Sequence, residues 1–171
     1  SIAWSDPLTG VLNRRGFERD AASRLSESSD DATGALLFID LNEFKQINDS
    51  CGHEIGDQLL VIAAERLRTS LRSIDIIGRP GGDEFVALVP DVNAKVAETL
   101  ASRLARSLEE PYLIGTETLY CAASIGLALY PDNANTLTGL LRAADQAMYR
   151  AKARCRGVTN IRQRDLLEKA V

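Results

Sequence analysis

Two short apolar stretches, Ile74 to Gly78 and Phe85 to Val89, flank Gly81-Gly82, and no other feature limits the fold as much. Paired glycines supply the positive φ that a two-residue hairpin turn requires. The strands they join are then antiparallel neighbours, an arrangement that a purely parallel, doubly wound sheet lacks. Two carboxylates, Asp83 and Glu84, follow the glycines where a strand would ordinarily open on an apolar residue. Adjacent negative charges beside exposed backbone N–H groups suit a metal–phosphate ligand, and equally suit a charged edge hairpin that avoids aggregation.

The remaining segments alternate between strand-like and helix-like patterns. Ser5 to Gly10 is a turn cluster, and Asn13 is an N-cap for a helix from about Arg14 to Leu25, with Phe17, Ala21 and Leu25 on one face. Ala35 to Leu41 is a nearly continuous apolar run, as in a strand buried on both faces, and its break is Asp40. Glu43 to Asn48 predicts a short helix, Ser50 to His53 a turn, and Gly56 precedes a longer helix to about Leu71. Further helices are predicted over Val92 to Leu108 and Thr136 to Ala153. Tyr112 to Gly115 and Thr118 to Ala122 predict a small second hairpin, and Ser124 to Tyr130 a strand that Pro131 ends. A short strand over Thr159 to Ile161 and a frayed helix are expected in the tail. This order predicts an α+β fold: a ferredoxin-like, split βαβ sandwich with a central, mostly antiparallel five-stranded sheet flanked by helices, plus a small extra hairpin.

At 171 residues the chain is expected to be a single domain spanning residues 1–171 with a full core. Because it starts at Ser1 it is expected to have been excised from a longer multidomain protein. Aromatic residues make up 5% of the chain, so the core must rely on Leu, Ile, Ala and Val. The net charge of −4 argues against a nucleic-acid backbone as main partner, but not against nucleotides whose phosphates are offset by metal ions and a few local cations. Cys51, Cys121 and Cys155 are widely spaced, which indicates neither a disulfide framework nor a zinc site and suits a reducing cytosol. No apolar run approaches the roughly 20 residues of a membrane span, so no membrane contact by this domain is expected.

Candidate chemistry gathers around the expected strand ends. In a ferredoxin-like sheet the end of the Asp40 strand and the start of the Glu84 strand can be neighbours. Carboxylates converging there would repel one another unless protonated or bridged by cations, and Mg²⁺ favours a few carboxylates plus substrate phosphates. Taken alone, Asp40 also reads as a cap or turn residue. Lys45 lies at a helix N-terminus just past a strand end, a ready phosphate site, and Asn48 carries the donor and acceptor that recognition of a base edge needs. Asp57 reads either as a further site carboxylate or as a helix N-terminal charge. Lys152, Arg154 and Arg156 also fit the ordinary role of cations at a helix C-terminus. His53, the only histidine, fits a turn or packing role when taken alone.

In combination these segments resemble the GGDEF domain of diguanylate cyclases. Gly81-Gly-Asp-Glu-Phe85 is the signature. The likeness runs from Asp6-Pro-Leu-Thr-Gly10 through Asp40-Leu-Asn-Glu-Phe44-Lys45, Asn48-Asp49, Gly52-His53 and Gly56-Asp57 to Ser124-Ile-Gly126 and Ala144-Asp145-x-Ala147-Met-Tyr149-x-Ala-Lys152. The resemblance implies that two GTP molecules condense to cyclic di-GMP with release of two pyrophosphates, in a transient head-to-head homodimer with one GTP per subunit. It implies Mg²⁺, with Mn²⁺ as a substitute, on Asp40, Glu84 and the Leu41 carbonyl. Asp83 would be a further ligand or would aid deprotonation of the 3′-hydroxyl, so Asp83 and Glu84 are the expected catalytic pair. Asn48 and Asp57 would read the guanine. Lys45, Lys152, Arg156 and the backbone near Phe44, Gly81 and Gly82 would hold the phosphates. Arg72-x-x-Asp75 has the spacing of the family's inhibitory product site for cyclic di-GMP, and also reads as an ion pair at a helix end.

Two departures stand out. Asn42 replaces the second aspartate of the family's Asp-x-Asp, and if it shared a face with Asp40 it would keep an oxygen without the charge. Cys155 replaces a glycine that can end the last helix, which leaves the placement of Arg156 open. The alternative to the enzyme is a catalytically silent module that binds GTP or cyclic di-GMP and regulates a fused partner. Sensor or phosphodiesterase domains are the expected fusions, and a cytoplasmic setting is expected even if the full-length protein is membrane-anchored.

Overall fold

A computed structural model describes the backbone of residues 3–169 and the side chains of residues 3–154. Its elements, in chain order, are β1 (Leu12–Asn13), α1 (Arg14–Glu27), β2 (Gly34–Leu41), α2 (Phe44–Cys51), α3 (His53–Ser70), β3 (Ile76–Gly81), β4 (Glu84–Pro90), α4 (Ala94–Glu109), β5 (Tyr112–Ile114), β6 (Glu117–Leu119), β7 (Ala123–Tyr130) and α5 (Leu137–Lys169). The main sheet is five-stranded in the order β1-β3-β4-β2-β7, and β5 and β6 form a separate hairpin. β2, β3, β4 and β7 pair antiparallel, with β4 inserted between β3 and β2. Among the described residues, only the short edge strand β1 runs parallel to its neighbour, β3. This is the expected ferredoxin-like α+β arrangement.

Strand alternation divides the core in two. Leu37, Ile39 and Leu41 of β2, with Phe85, Ala87 and Val89 of β4, pack under α3 and α4 against Leu59, Leu67, Leu104 and Leu108. Leu36 of β2, Val86 and Leu88 of β4 and Ala128 of β7 pack against Phe17 and Ala21 of α1 and Leu140 and Ala144 of α5. β2 is therefore apolar on both faces, as its sequence implies. α5 lies against β7 with almost no gap: a Cβ added at Gly126 would meet the Ala144 carbonyl oxygen at 1.9 Å and the Met148 nitrogen at 2.2 Å. That glycine lets a helix backbone rest directly on a strand.

Side-chain caps and turns move several boundaries from their expected places. Arg72 to Asp75 form a closed turn, with the Asp75 amide donating to the Arg72 carbonyl at 3.0 Å, so β3 begins at Ile76 rather than Ile74. Asn93 caps α4 by accepting from the Val96 amide at 2.9 Å, which delays the helix to Ala94. α3 starts at His53, directly after Gly52 at φ 92°, and so contains Gly56 instead of following it. The strand expected over Thr159 to Ile161 does not form, because α5 continues as helix to Lys169. Cys155 takes the place of a terminating glycine, and the helix runs on through Gly157 as well.

Candidate functional site

Antiparallel pairing places Asp40 of β2 directly opposite Glu84 of β4. Both side chains belong to the face that α1 and α5 cover, since Asp40 follows Leu36 and Glu84 precedes Val86 in the two-residue alternation. Like charges in this position are destabilising. Asp83 adds a third carboxylate. It occupies a two-residue turn with Gly82, and its carbonyl accepts from the Leu41 amide at 3.1 Å. Only Gly82 has a positive φ, 49°, so the turn needs one left-handed glycine rather than the expected two. Burial pushes the Asp83 and Glu84 carboxyls above their ordinary range, and the Asp40 charge raises both further. Asp83 and Asp145 add to the effect on Glu84, while Arg14 opposes it.

Asp40 is 7% exposed. Its Oδ2 accepts from Lys152 Nζ at 2.5 Å, whereas its Oδ1 is buried without a hydrogen-bond partner. Leaving such an acceptor unmet costs about 1–3 kcal/mol. The orphaned Asp40 oxygen and the crowded Asp83 and Glu84 carboxyls offer oxygen donors suited to a hard cation, and the Lys152 ammonium shows that the edge already attracts positive charge. Among the described residues no three His, Cys, Asp or Glu side chains converge tightly enough to hold an ion unaided. Mg²⁺ commonly takes one or two carboxylates and completes its shell with water and substrate phosphate, so this edge fits a metal that arrives with its ligand.

α2 leaves the sheet beside these carboxylates. Buried Phe44 anchors its first turn, and Glu43 enters it in the left-handed region at φ 61°. Lys45 is exposed one residue later. Asn48 packs onto Gly56 of α3 so closely that a Cβ there would lie 1.7 Å from Asn48 Oδ1, which is itself buried and unpartnered. Exposed Asp57 is the next residue, so α2 and α3 bring the two expected base-reading side chains to one place. Asn42 does not join them: its Oδ1 accepts from Ser124 Oγ at 3.0 Å, and that oxygen is taken by β7 rather than shared with Asp40. The Arg156 side chain lies outside the described residues.

A tie that the sequence does not announce holds the glycine turn. Arg79 Nε donates to the Gly82 carbonyl at 2.9 Å, and its Nη1 donates to both carboxylate oxygens of Asp6 at 3.1 Å. Asp6 also accepts from the Thr9 amide at 2.9 Å and the Thr9 hydroxyl at 2.6 Å. Burial alone would push the Asp6 carboxyl up, but the Thr9 hydrogen bonds and Arg79 outweigh it and hold the group below its ordinary value. The turn cluster from Ser5 to Gly10 carries no hint of a partner so far along the chain.

Arg72 and Asp75 form a second polar centre. The Asp75 carboxylate, 1% exposed, accepts from Arg72 Nη2 at 2.9 Å and from the Arg72 amide at 2.7 Å. Arg72 Nη2 also donates to the Pro90 carbonyl at 2.6 Å. Asp75 is thus spent on orienting Arg72, and any ligand meets the guanidinium first. The pair borders a cavity of about 480 Å³ whose other walls include Lys95, Thr99 and Arg103 of α4. Sequence reasoning missed these, although Lys95, Thr99 and Arg103 recur at helical spacing on the side of α4 away from buried Ala97, Leu100 and Leu104.

Comparison with known proteins identifies the family. Residues 3–157 match the family described as diguanylate cyclase, GGDEF domain. The bifunctional diguanylate cyclase/cyclic di-GMP phosphodiesterase MucR of Pseudomonas aeruginosa is 41% identical over 152 residues, covering 88% of this chain and 22% of MucR. The diguanylate cyclase TpbB of the same species is 42% identical over 162 residues, covering 91% of this chain and 36% of TpbB. The chain therefore spans only about a fifth to a third of the length of these curated relatives. The solved GGDEF domain of P. aeruginosa PA1120 (TpbB or YfiN) superimposes with a TM-score of 0.84 at 39% identity, covering 88% of this chain and 89% of that one. The chain is a GGDEF domain of the diguanylate cyclase family.

Proposed function

We propose that this domain condenses two GTP molecules into cyclic di-GMP, releasing two pyrophosphates. The observation that carries the reading is the Asp40–Glu84 opposition, with a buried, unpartnered Asp40 oxygen beside the helix that bears Lys45 and Asn48. Asn48 and Asp57 orient the guanine, and Lys45, Lys152 and Arg156, with the backbone at Phe44, Gly81 and Gly82, hold the phosphates. Asp40, the Leu41 carbonyl, Asp83 and Glu84 would hold Mg²⁺ or Mn²⁺, which when bound supplies charge neutralisation at the reacting phosphates. Asp83, its carboxyl raised by burial and by Asp40, takes the 3′-hydroxyl proton. Each 3′-oxygen must reach the other nucleotide's α-phosphate in line, so two subunits meet head to head. In a full-length protein, fused sensor or phosphodiesterase domains would govern that meeting.

The Arg72 cavity is proposed as an inhibitory site for cyclic di-GMP. Its three cations, Arg72, Lys95 and Arg103, suit a doubly charged phosphodiester ring. Arg103→Ala should weaken cyclic di-GMP binding at least tenfold by calorimetry while GTP binding persists; unchanged product affinity would remove this site. The enzyme reading is tested by incubating the domain with GTP and Mg²⁺ at several protein concentrations and resolving products by chromatography. Cyclic di-GMP and pyrophosphate should appear, with specific activity rising with concentration. Tight GTP binding without product in a concentrated sample would instead establish a silent nucleotide-binding module.

A further inference from the structure

The Ala144-Asp145 to Tyr149 stretch of α5 is not used by the site described above, yet it stands beside it. A cavity of about 390 Å³ opens between α1 and α5 with Glu84 in its wall. Phe17, Phe38, Val86 and Leu141 contribute an apolar floor, and Arg14, Glu18, Arg142 and Asp145 a charged rim. Among the described residues none of these four rim side chains has an ion-pair or hydrogen-bond partner, although two cations and two carboxylates line one opening. Arg142, Asp145 and Tyr149 form an exposed stripe at helical spacing, and Tyr149 is 66% exposed.

From this geometry we infer that the α1–α5 cavity is the docking surface for a second copy of this chain, registered by Arg142 of each copy against Asp145 of the other. The argument is charge complementarity under symmetry. A two-fold contact must be self-complementary, so the same patch has to carry both signs. Opposite charges three residues apart on one helix satisfy this when two α5 helices cross antiparallel about a point between Arg142 and Asp145: each cation then meets a carboxylate, twice over. An outside ligand of a single charge would find half of the rim repulsive. The copies would close over Glu84, the sheet carboxylate in the wall of this cavity. The inference rests on the cyclase reading, which requires two subunits to meet, and adds the surface and register by which they do so.

The test is complementation in trans between Arg142→Glu and Asp145→Arg. Each variant alone sets like charges against each other across the two-fold and should lose association and cyclic di-GMP formation at least tenfold, with GTP affinity and helical circular dichroism unchanged. In an equimolar mixture, the glutamate introduced at position 142 of one copy faces the arginine introduced at position 145 of the other. The unaltered Arg142 and Asp145 of the two copies face each other as before. The cross-paired dimer thus restores both contacts, so activity and sedimentation as a dimer should return. Variants that associate like the original chain, or a mixture no better than its components, would overturn the inference. If the original chain makes no cyclic di-GMP, the cyclase reading fails, but sedimentation of the mixture against the single variants still decides the docking surface.

Discussion

At the scale of single residues, the carboxylate edge trades stability for charge. Asp40 and Glu84 would relax if either were neutral, because like charges directly opposite each other in a sheet pair are destabilising. Glu84→Gln should therefore raise the melting temperature in chelator while reducing cyclic di-GMP formation by two orders of magnitude or more; a melting temperature that falls would contradict the opposition. Asp6 behaves in the opposite sense. Its folded-state carboxyl lies below the ordinary value, so its contribution to stability is present above about pH 4 and lost as pH falls through the folded-state value. Asp6→Asn should cost stability at neutral pH, and the gap to the original chain should narrow on acidification, as measured by denaturant unfolding across the acid range. A gap that stays constant with pH would mean that the carboxylate charge is not what Thr9 and Arg79 hold.

Among elements, α5 owes its position to a strand that has no side chain where the helix crosses it. Gly126→Ala would press a methyl group into the Ala144 and Met148 backbone, which cannot rotate away. Overpacking of this kind typically costs about 1–3 kcal/mol, and urea unfolding should show a loss of that order or larger. Elements that bury a patterned face are legible in the sequence: β2 and β4 from their apolar runs, α3 from Leu59, Leu60, Ala63 and Leu67, and α4 from its leucines. β1 is not, because two residues with no apolar pattern become a strand only where β3 offers them an edge. The end of α5 departs from expectation because the helix runs on past Cys155 and through Gly157 into the residues expected to form a strand. In the site, the Asp40, Asp83 and Glu84 grouping follows from strand ends and the turn. What stays hidden depends on side chains reaching across the fold: Arg79 to Asp6, Arg103 to the Arg72 cavity, and the Asn42 amide turned to Ser124.

For the molecule as a whole, function depends on parts of the chain that are remote in sequence. No described helix is long and apolar enough to cross a membrane. The sheet brings the central strand, the glycine turn and the last helix to one edge, and Lys152 closes that edge from 112 residues away. Its ammonium is a resident competitor for Asp40. Any cation that approaches Asp40 Oδ2 must displace a tethered charge that is never diluted, so the measured affinity for a divalent ion is the difference between two bindings. Lys152→Met should then tighten Mn²⁺ binding to the nucleotide-free domain, as read by titration calorimetry, even as it weakens the grip on GTP phosphates. Equal Mn²⁺ affinity in both chains would show that the tether exerts no competition. A nucleotide that draws Lys152 onto its own phosphates would clear Asp40 in the same movement, so that substrate and metal recruit each other through one shared lysine.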